Sequence, residues 1–501
     1  MAASDKPNLI LPLASTYNPR GVASFTTTLT NAVDQRKINS MYDLAKNPVT
    51  GKLTPYLVKR PGVTLNAASF GTSGQNGTLV ALPPGVATDI DTNPWVFSQS
   101  GNDVRASSSA TTTVIATAAG FWAAFVDHTA ISGTDNLVVQ LRSSSTVAQR
   151  VFYSTAIATF TEISAAAFTG LIHRGKMEHL DGYALILTDL NRIHSSDVNS
   201  LSAWGANNYL AKTILQDAAV GLAKLGEQII AFGQETAEMY VNNGNPGITP
   251  LTKISGPQQR IGLITATGTT IARKGHYYAT LGGRIYFVGH EAGGSVAAGV
   301  WAYDGQKFEK VSTSFIDRIL SGIAQGYFAV SLVGFAGKSG IAITIDRLDT
   351  ATQRWLMFFP EVNEWFEWTS TVFCPVNSGQ WFLGAGNNQH RVYSFANTNS
   401  WQDDTTEVTL THQFTLPGAD NERKVMTWAG VRSDTAAAAS SLGVSFSDDG
   451  DDTTYSTARN IDLSLANKRI TRCGSYRNRS VRLTHSANLE CRLEAFLARI
   501  E

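Results

Sequence analysis

The sequence predicts an all-β protein: an irregular β-propeller of about six blades, with an extended N-terminal arm and a C-terminal β-rich region that closes the propeller or forms a small β-domain. Three observations carry this expectation. Short runs rich in β-branched and aromatic residues recur between residues 171 and 402, among them YALILT, RIYFVG, GIAITID, RWLMFFP and RVYSF. Gly282-Gly283, Gly293-Gly294 and Asp304-Gly305 punctuate them, supplying the positive φ that tight hairpins need. Helical periodicity between the runs is nearly absent, which argues against parallel βαβ units. So many antiparallel strands require closure, because open edges aggregate, and aromatic-rich strands in turn-separated groups favour a propeller.

Taken in order, residues 1–66 form the arm. Pro7, Pro12, Pro19, Pro48, Pro55 and Pro61 disfavour long helices and central strands. Leu9, Ile10, Leu11, Leu13, Tyr17, Phe25, Met41, Tyr42 and Tyr56 give it apolar anchors, so it is expected to dock on its own body or on a neighbour. Residues 67–402 form the propeller body. Its opening stretch is dense in Ser, Thr, Ala and Gly, but TTTVIAT, NLVVQL and RVFYST read as strands with small faces. The spacing of Trp301, Trp355, Trp365, Trp368, Trp381 and Trp401 is irregular, which excludes a WD40 array. One helix is expected over 314–323, where Phe315, Ile316, Ile319, Leu320 and Ile323 share a face and Ser314 and Asp317 resemble a capping box. Residues 403–501 contain TTEVTLTHQFTL, alternating with period two, followed by further strands.

Composition narrows the function classes. Charged residues are 16 % of the 501, below the roughly 25 % of average proteins. Forty Lys and Arg balance forty Asp and Glu, whereas electrostatic nucleic-acid binding normally brings a basic excess. No run of 18 apolar residues is present, so no transmembrane helix is expected, and the first fifteen residues lack the pattern of a secretory leader. Cys374, Cys473 and Cys491 show no CxxC spacing and read as buried free thiols, with a Cys473–Cys491 bridge left open.

Chemical motifs are scarce. Asp448, Asp449, Asp451 and Asp452 could offer oxygen ligands to Ca²⁺, but the EF-hand order is missing, and a solvated hairpin tip is the better reading. Ser447-x-Asp449-Gly450 with Tyr455 resembles a structural Asp-box turn. His173 and His179, with Glu178 and Asp181 close by, lack helical zinc spacing and a third ligand. No GxSxG, HExxH or phosphate-binding glycine loop occurs. Asp349, Glu361, Glu364 and Glu367 lie near Trp355, Trp365 and Trp368, so a propeller-type carbohydrate-binding protein or glycoside hydrolase is the alternative. In PEVNEWFEW, however, the acids simply flank a hairpin. No cofactor, metal or catalytic residue is expected. The basic run Lys468, Arg469, Arg472, Arg477, Arg479 and Arg482 contains no acid, and Arg477 and Arg479 would share one face of a strand. It reads as a solvated strand face or as a contact for DNA phosphates or a neighbouring subunit.

Several segments together carry a family resemblance. These are the strand with its Gly233-Gln234-Glu235-Thr236 turn, Ile261-Gly262-Leu263, Tyr286-Phe287-Val288-Gly289-His290, Val300-Trp301-Ala302-Tyr303-Asp304-Gly305 and the Lys310–Ile319 helix entry. An early Leu57-Val58-Lys59-Arg60-Pro61-Gly62-Val63 and a late Arg477-x-Arg479-x-Val481-Arg482-Leu483 complete the order. The pattern resembles the tail hub or nozzle protein of short-tailed bacteriophages, also called the packaged-DNA stabilisation protein. The resemblance implies a non-enzymatic virion tail protein made in the host cytoplasm and assembled as a homohexamer. Its implied partners are the portal and head-to-tail adaptor, tail spike, fibre or needle proteins, and genomic double-stranded DNA passing without sequence recognition.

Overall fold

A computed structural model of the chain describes residues 6–13, 35–46, 53–65, 76–80, 95–100, 103–108, 111–117, 121–131, 134–143, 150–156, 159–165, 167, 170–212, 217–244, 249–254, 260–264, 277–293, 298–322, 328–335, 337–345, 353–375, 381–384, 391–395, 400–416, 422–448 and 454–501. It divides into two units. One holds residues 65–355 and 371–394; the other holds 1–64, 356–370 and 395–501. The expected arm 1–66 and terminal region 403–501 thus fall almost wholly in one unit, together with an internal hairpin.

The larger unit is a succession of antiparallel meanders. Asn76–Val80, Trp95–Ser100, Asp103–Ser108 and Thr111–Thr117 make the first sheet, and Phe121–Ile131, Thr134–Ser143, Arg150–Ala156 and Thr159–Glu162 the second. The third runs from Glu178–Leu180 to Tyr209–Ala211, and the fourth from Ala219–Leu225 to Leu251–Lys253. In the fifth, Ile261–Leu263 and Tyr278–Leu281 both pair along one edge of Arg284–Glu291, which continues into Gly299–Tyr303 and Phe308–Lys310. The hairpin Ala329–Phe335 with Lys338–Thr344 and the meander Phe373–Pro375, Trp381–Gly384, Val392–Phe395 follow. Among the described residues, five complete sheets and two further strand groups therefore stand where about six blades are expected.

From the second sheet to the fifth, each buries a face against the next, as blades do. Ile131, Val138 and Val151 of the second sheet share a core with Ala184 and Ile186 of the third. Leu185, Leu187 and Ile193 pack with Leu222, Ile229 and Tyr240, and then Ile230 and Phe232 with Phe287, Trp301 and Tyr303. The hairpin glycines lie where the sequence puts them, with φ of +59° and +73° at Gly282 and Gly283 and +97° at Gly305. Helix α1, Ser314–Ser321, is the only helix among the described residues. Its cap is Thr313, not Ser314: the Thr313 hydroxyl accepts from the Ile316 amide, while Asp317 pairs with Lys310 at 2.7 Å. Ile316 and Leu320 are its buried face.

Tyr277 joins three successive sheets. Its hydroxyl donates to the Leu222 carbonyl and accepts from the Lys176 amide at 3.3 Å. Room for the ring exists because Gly175 and Gly221 lack side chains: a Cβ would lie 2.4 Å from the Tyr277 Oη at the first and 2.7 Å from its Cζ at the second.

The smaller unit has two sheets. In one, Arg492–Ile500 carries Leu9–Pro12 and Leu53–Lys59 on one edge and Lys424–Ser433 on the other. Ser40–Lys46 extends it beyond Leu53–Lys59, and Arg469–Thr471 beyond Lys424–Ser433. In the other, Arg36–Ile38 lies between Glu364–Ser370, which it meets in parallel, and Leu410–Thr415; Ser480–His485, Ser441–Ser447 and Arg459–Asp462 follow. Phe414 and Phe496, with ring centres 5.1 Å apart, pack one sheet on the other.

Arg60 ties the N-terminal strands into this unit. It is fully buried, and all five of its N–H groups are placed. Two go to Asp403 at 2.8 and 2.7 Å, and the others to Asn39 Oδ1, the Thr369 carbonyl and the Pro61 carbonyl at 3.1, 2.9 and 3.1 Å. Gly62 follows because a Cβ there would sit 1.9 Å from the Gln402 carbonyl oxygen. Cys473 and Cys491 are buried free thiols, so the bridge left open by the sequence is absent; burial pushes the Cys491 thiol up to about 12.

Two outcomes follow from this packing. Tyr277→Phe should lose about 1–3 kcal/mol in chemical denaturation, and Gly221→Ala, which drives a methyl into the ring, a similar or larger amount. In the smaller unit, burial, with Lys37 close by, pushes the His412 imidazole down from 6.5 to about 3. The unfolded chain takes up this proton near 6.5 and the folded chain only near 3, so stability is full above 6.5 and falls with pH across that window. Thermal melting followed from pH 7 to 4 should show the loss, and His412→Leu should flatten the profile.

Candidate functional site

The basic run lies in the smaller unit, and its members diverge. Arg477 and Arg479 are not on a strand: they occupy the turn between Ser475–Tyr476 and Ser480–His485, with Arg477 exposed and Arg479 buried. Strand alternation therefore does not apply to them. Arg479 lies between the rings of Phe446 and Tyr476, at 4.6 and 4.4 Å. It holds Asp448 bidentately at 2.6 and 2.8 Å and donates to the Cys473 carbonyl at 2.7 Å. Arg482, on its strand, covers the Tyr455 ring at 4.2 Å. Arg472 adopts φ +59° and, with Gly474 at +81°, turns the chain after Arg469–Thr471.

Lys468 and Arg469 come together beside Trp428. The Lys468 amine donates to the Ser433 carbonyl at 3.0 Å and the Thr435 hydroxyl at 3.3 Å, and the Arg469 guanidinium stands 5.8 Å from the Trp428 ring centre. With Arg432 they line a recess of about 230 Å³. Sequence reasoning found these cations but not the recess, because Trp428 and Arg432 lie on the adjacent strand, remote along the chain.

The other singled-out residues are structurally engaged. Glu361 accepts from the Tyr42 hydroxyl, Glu364 pairs with Lys37 at 2.9 Å and Glu367 with Arg36 at 3.0 Å. Burial lowers the Lys37 amine, and Glu364 pulls it back up. Glu364 and Glu367 thus neutralise cations and Glu361 holds a phenol; Asp349 lies outside the described residues. Glu178 pairs with Lys176 and accepts from the Tyr278 hydroxyl, and Asp181 accepts from Asn242 at 2.9 Å. His173 is buried in a bridge to Thr188. Asp449, Asp451 and Asp452 lie outside the described residues, and among the described residues no group of three His, Cys, Asp or Glu could hold a metal. Among them no helix is long and apolar enough to cross a membrane.

What the geometry defines is a strand-built protein whose charged clusters are spent on holding sheets together. Residues 108–333, within the larger unit, match the family model Phage_stabilise, described as Bacteriophage P22 Gp10, beta-propeller. Over this segment, which is under half of the chain, the protein is similar to the phage packaged-DNA stabilisation family of structural proteins, as the resemblance in the sequence implied. No curated protein matches the chain. Among solved structures, an exo-β-1,3-galactanase from Phanerochaete chrysosporium aligns at 8 % identity over 74 % of this chain and 95 % of its own, with a TM-score of 0.30. A puromycin-hydrolysing peptidase of Mycobacterium tuberculosis aligns at 10 % over 82 % and 63 %, with a TM-score of 0.35. The N-terminal domain of Nup159 aligns at 9 % over 72 % and 98 %, with a TM-score of 0.37. At such scores none of the three bears on function.

The two turn arginines should separate on substitution. Arg479→Ala empties a buried slot between two rings and leaves the exposed Asp448 without its partner, so a loss of about 1–3 kcal/mol is expected. Arg477→Ala should stay within about 0.5 kcal/mol of the parent. Urea denaturation of both variants is the check.

Proposed function

We propose that the protein is the tail nozzle of a short-tailed phage: a homohexameric ring that continues the portal–adaptor channel, retains packaged DNA and lets it pass at infection. The observation that carries this reading is the family match over residues 108–333. The chemistry of the chain fits it. Balanced charge, forty of each sign, suits a conduit that DNA must leave, because a strongly basic wall would hold phosphates by counterion release. The buried Arg479 is unavailable to DNA, which leaves exposed Arg472 and Arg477 and the half-buried Lys468, Arg469 and Arg482 as the cations of the run within reach of partners. Tail spike, fibre or needle proteins would join it at the virion tail, and synthesis would occur in the host cytoplasm.

Imaging of the protein bound to portal–adaptor particles should show a six-fold ring with an axial channel. Particles assembled without it should lose their DNA to added nuclease, and adding back the purified protein before treatment should protect it. A bound monomer with no channel, or particles that keep their DNA without it, would overturn the reading.

A further inference from the structure

The recess beside Trp428 has a chemistry that DNA retention does not use. It lies on the sheet of Arg492–Ile500, Lys424–Ser433 and Arg469–Thr471. In this register Gly430 stands opposite both Leu497 and Arg469. A Cβ at Gly430 would meet the Lys468 carbonyl oxygen at 2.5 Å, so the glycine is what admits the Lys468–Arg469 backbone so closely. The walls include Pro7, Trp428, Leu497 and the cations Arg432, Lys468 and Arg469, with no carboxylate in the lining. Arg432 is offset by Glu494 at 3.0 Å. Lys468, by contrast, takes only neutral acceptors among the described residues. Trp428 is nine-tenths buried, and its indole N–H has no acceptor among them. A buried donor left in this state costs stability unless something completes it. The margin is apolar: Ile10, opposite Leu497 in register, is 51 % exposed, and Leu465, next to the lining residue Ala466, is 55 % exposed.

We propose that this recess docks an acidic and apolar peptide segment of a partner protein. A carboxylate is received by Lys468 and Arg469, and an apolar side chain covers Trp428, Leu497 and Ile10. Charge complementarity asks for an anion, and the apolar margin decides which kind. A duplex offers rows of phosphates to a broad surface and nothing for Ile10 and Leu497 to bury, whereas alternating acidic and aliphatic side chains satisfy both halves. The proposal is independent of the nozzle reading, since it rests on the smaller unit alone.

The test uses the full-length protein and a fluorescein-labelled peptide of alternating Glu and Leu, followed by anisotropy. Saturable binding is expected, weakening with salt and falling about tenfold or more in Lys468→Gln/Arg469→Gln. Trp428→Phe, which keeps an aromatic face and removes the donor, should weaken binding too, with the circular dichroism spectrum unchanged. A Lys/Leu peptide should not bind, and short duplex DNA should not compete. Absence of binding, equal binding by the double variant, or tighter binding of duplex through the same two residues would each overturn the proposal. So would self-association of the protein that the same substitutions abolish, because a second copy would then be the occupant.

Discussion

The smaller unit depends on a single buried cation. A guanidinium taken out of water is tolerable only when every N–H finds an acceptor and a counter-ion lies within contact, since an uncompensated buried charge costs several kcal/mol. Arg60 meets both conditions with groups drawn from Asn39, Pro61, Thr369 and Asp403. Those positions come from separate stretches of chain, so the requirement fixes how they meet. Asn39 does the complementary work from the other side, donating to the Thr369 hydroxyl and the Thr409 carbonyl at 3.0 and 3.1 Å. Trp368 completes the arrangement: its ring lies 5.6 Å from the Arg60 guanidinium and its N–H bonds the Ser40 carbonyl at 2.7 Å. Removing the charge would leave the Asp403 carboxylate buried without its counter-ion, with the Ser370 hydroxyl still donating to it at 2.9 Å.

The larger unit is held differently. Its sheets meet through apolar faces, which are non-directional and would by themselves permit sliding. Direction comes from a few polar bolts between the sheets. Tyr277 and Tyr278 reach across to the Gly175–Glu178 and Gly221–Leu222 segments, and burial, reinforced by Glu178, holds the Tyr278 phenol protonated well beyond ordinary pH. Lys212, Asp217 and Thr236 form another such bolt, in which Asp217 accepts from the Glu235 and Thr236 amides at 2.9 and 3.0 Å. Charge in this protein is mostly structural, which agrees with a chain that carries so little of it.

How much of this could be read from the sequence depends on the range of the interaction. Hairpins such as Tyr278–Leu281 with Arg284–Glu291 were legible, because Gly282-Gly283 is a local signal with a local consequence. The helix was legible for the same reason, apart from the shift of its cap from Ser314 to Thr313. The placement of Arg36–Ile38 between Glu364–Ser370 and Leu410–Thr415 was not: its partners are remote along the chain, and so short a strand carries no period. Of the prolines in the N-terminal stretch, Pro12 lies at a strand end, Pro61 just after a strand and Pro55 inside Leu53–Lys59, while Pro19 and Pro48 lie outside the described residues. The basic run was visible as a charge pattern, but nothing local distinguishes Arg479, sealed between two rings, from Arg477 just before it. Trp428 and Gly430, which shape the recess, looked like ordinary strand residues.

The pairing of Leu9–Pro12 and Leu53–Lys59 with Arg492–Ile500 has a consequence for biosynthesis. The five complete sheets of the larger unit are each contiguous in sequence and can form as they leave the ribosome. Ser40–Lys46 and Leu53–Lys59 can pair with each other early, but they and Leu9–Pro12 must wait for Arg492–Ile500 to be translated, with edges unpaired all the while. Closing so long a loop makes their docking the late and slow event. Until Arg492–Ile500 has been made, that sheet of the smaller unit lacks the strand on which Leu9–Pro12, Leu53–Lys59 and Lys424–Ser433 all pair.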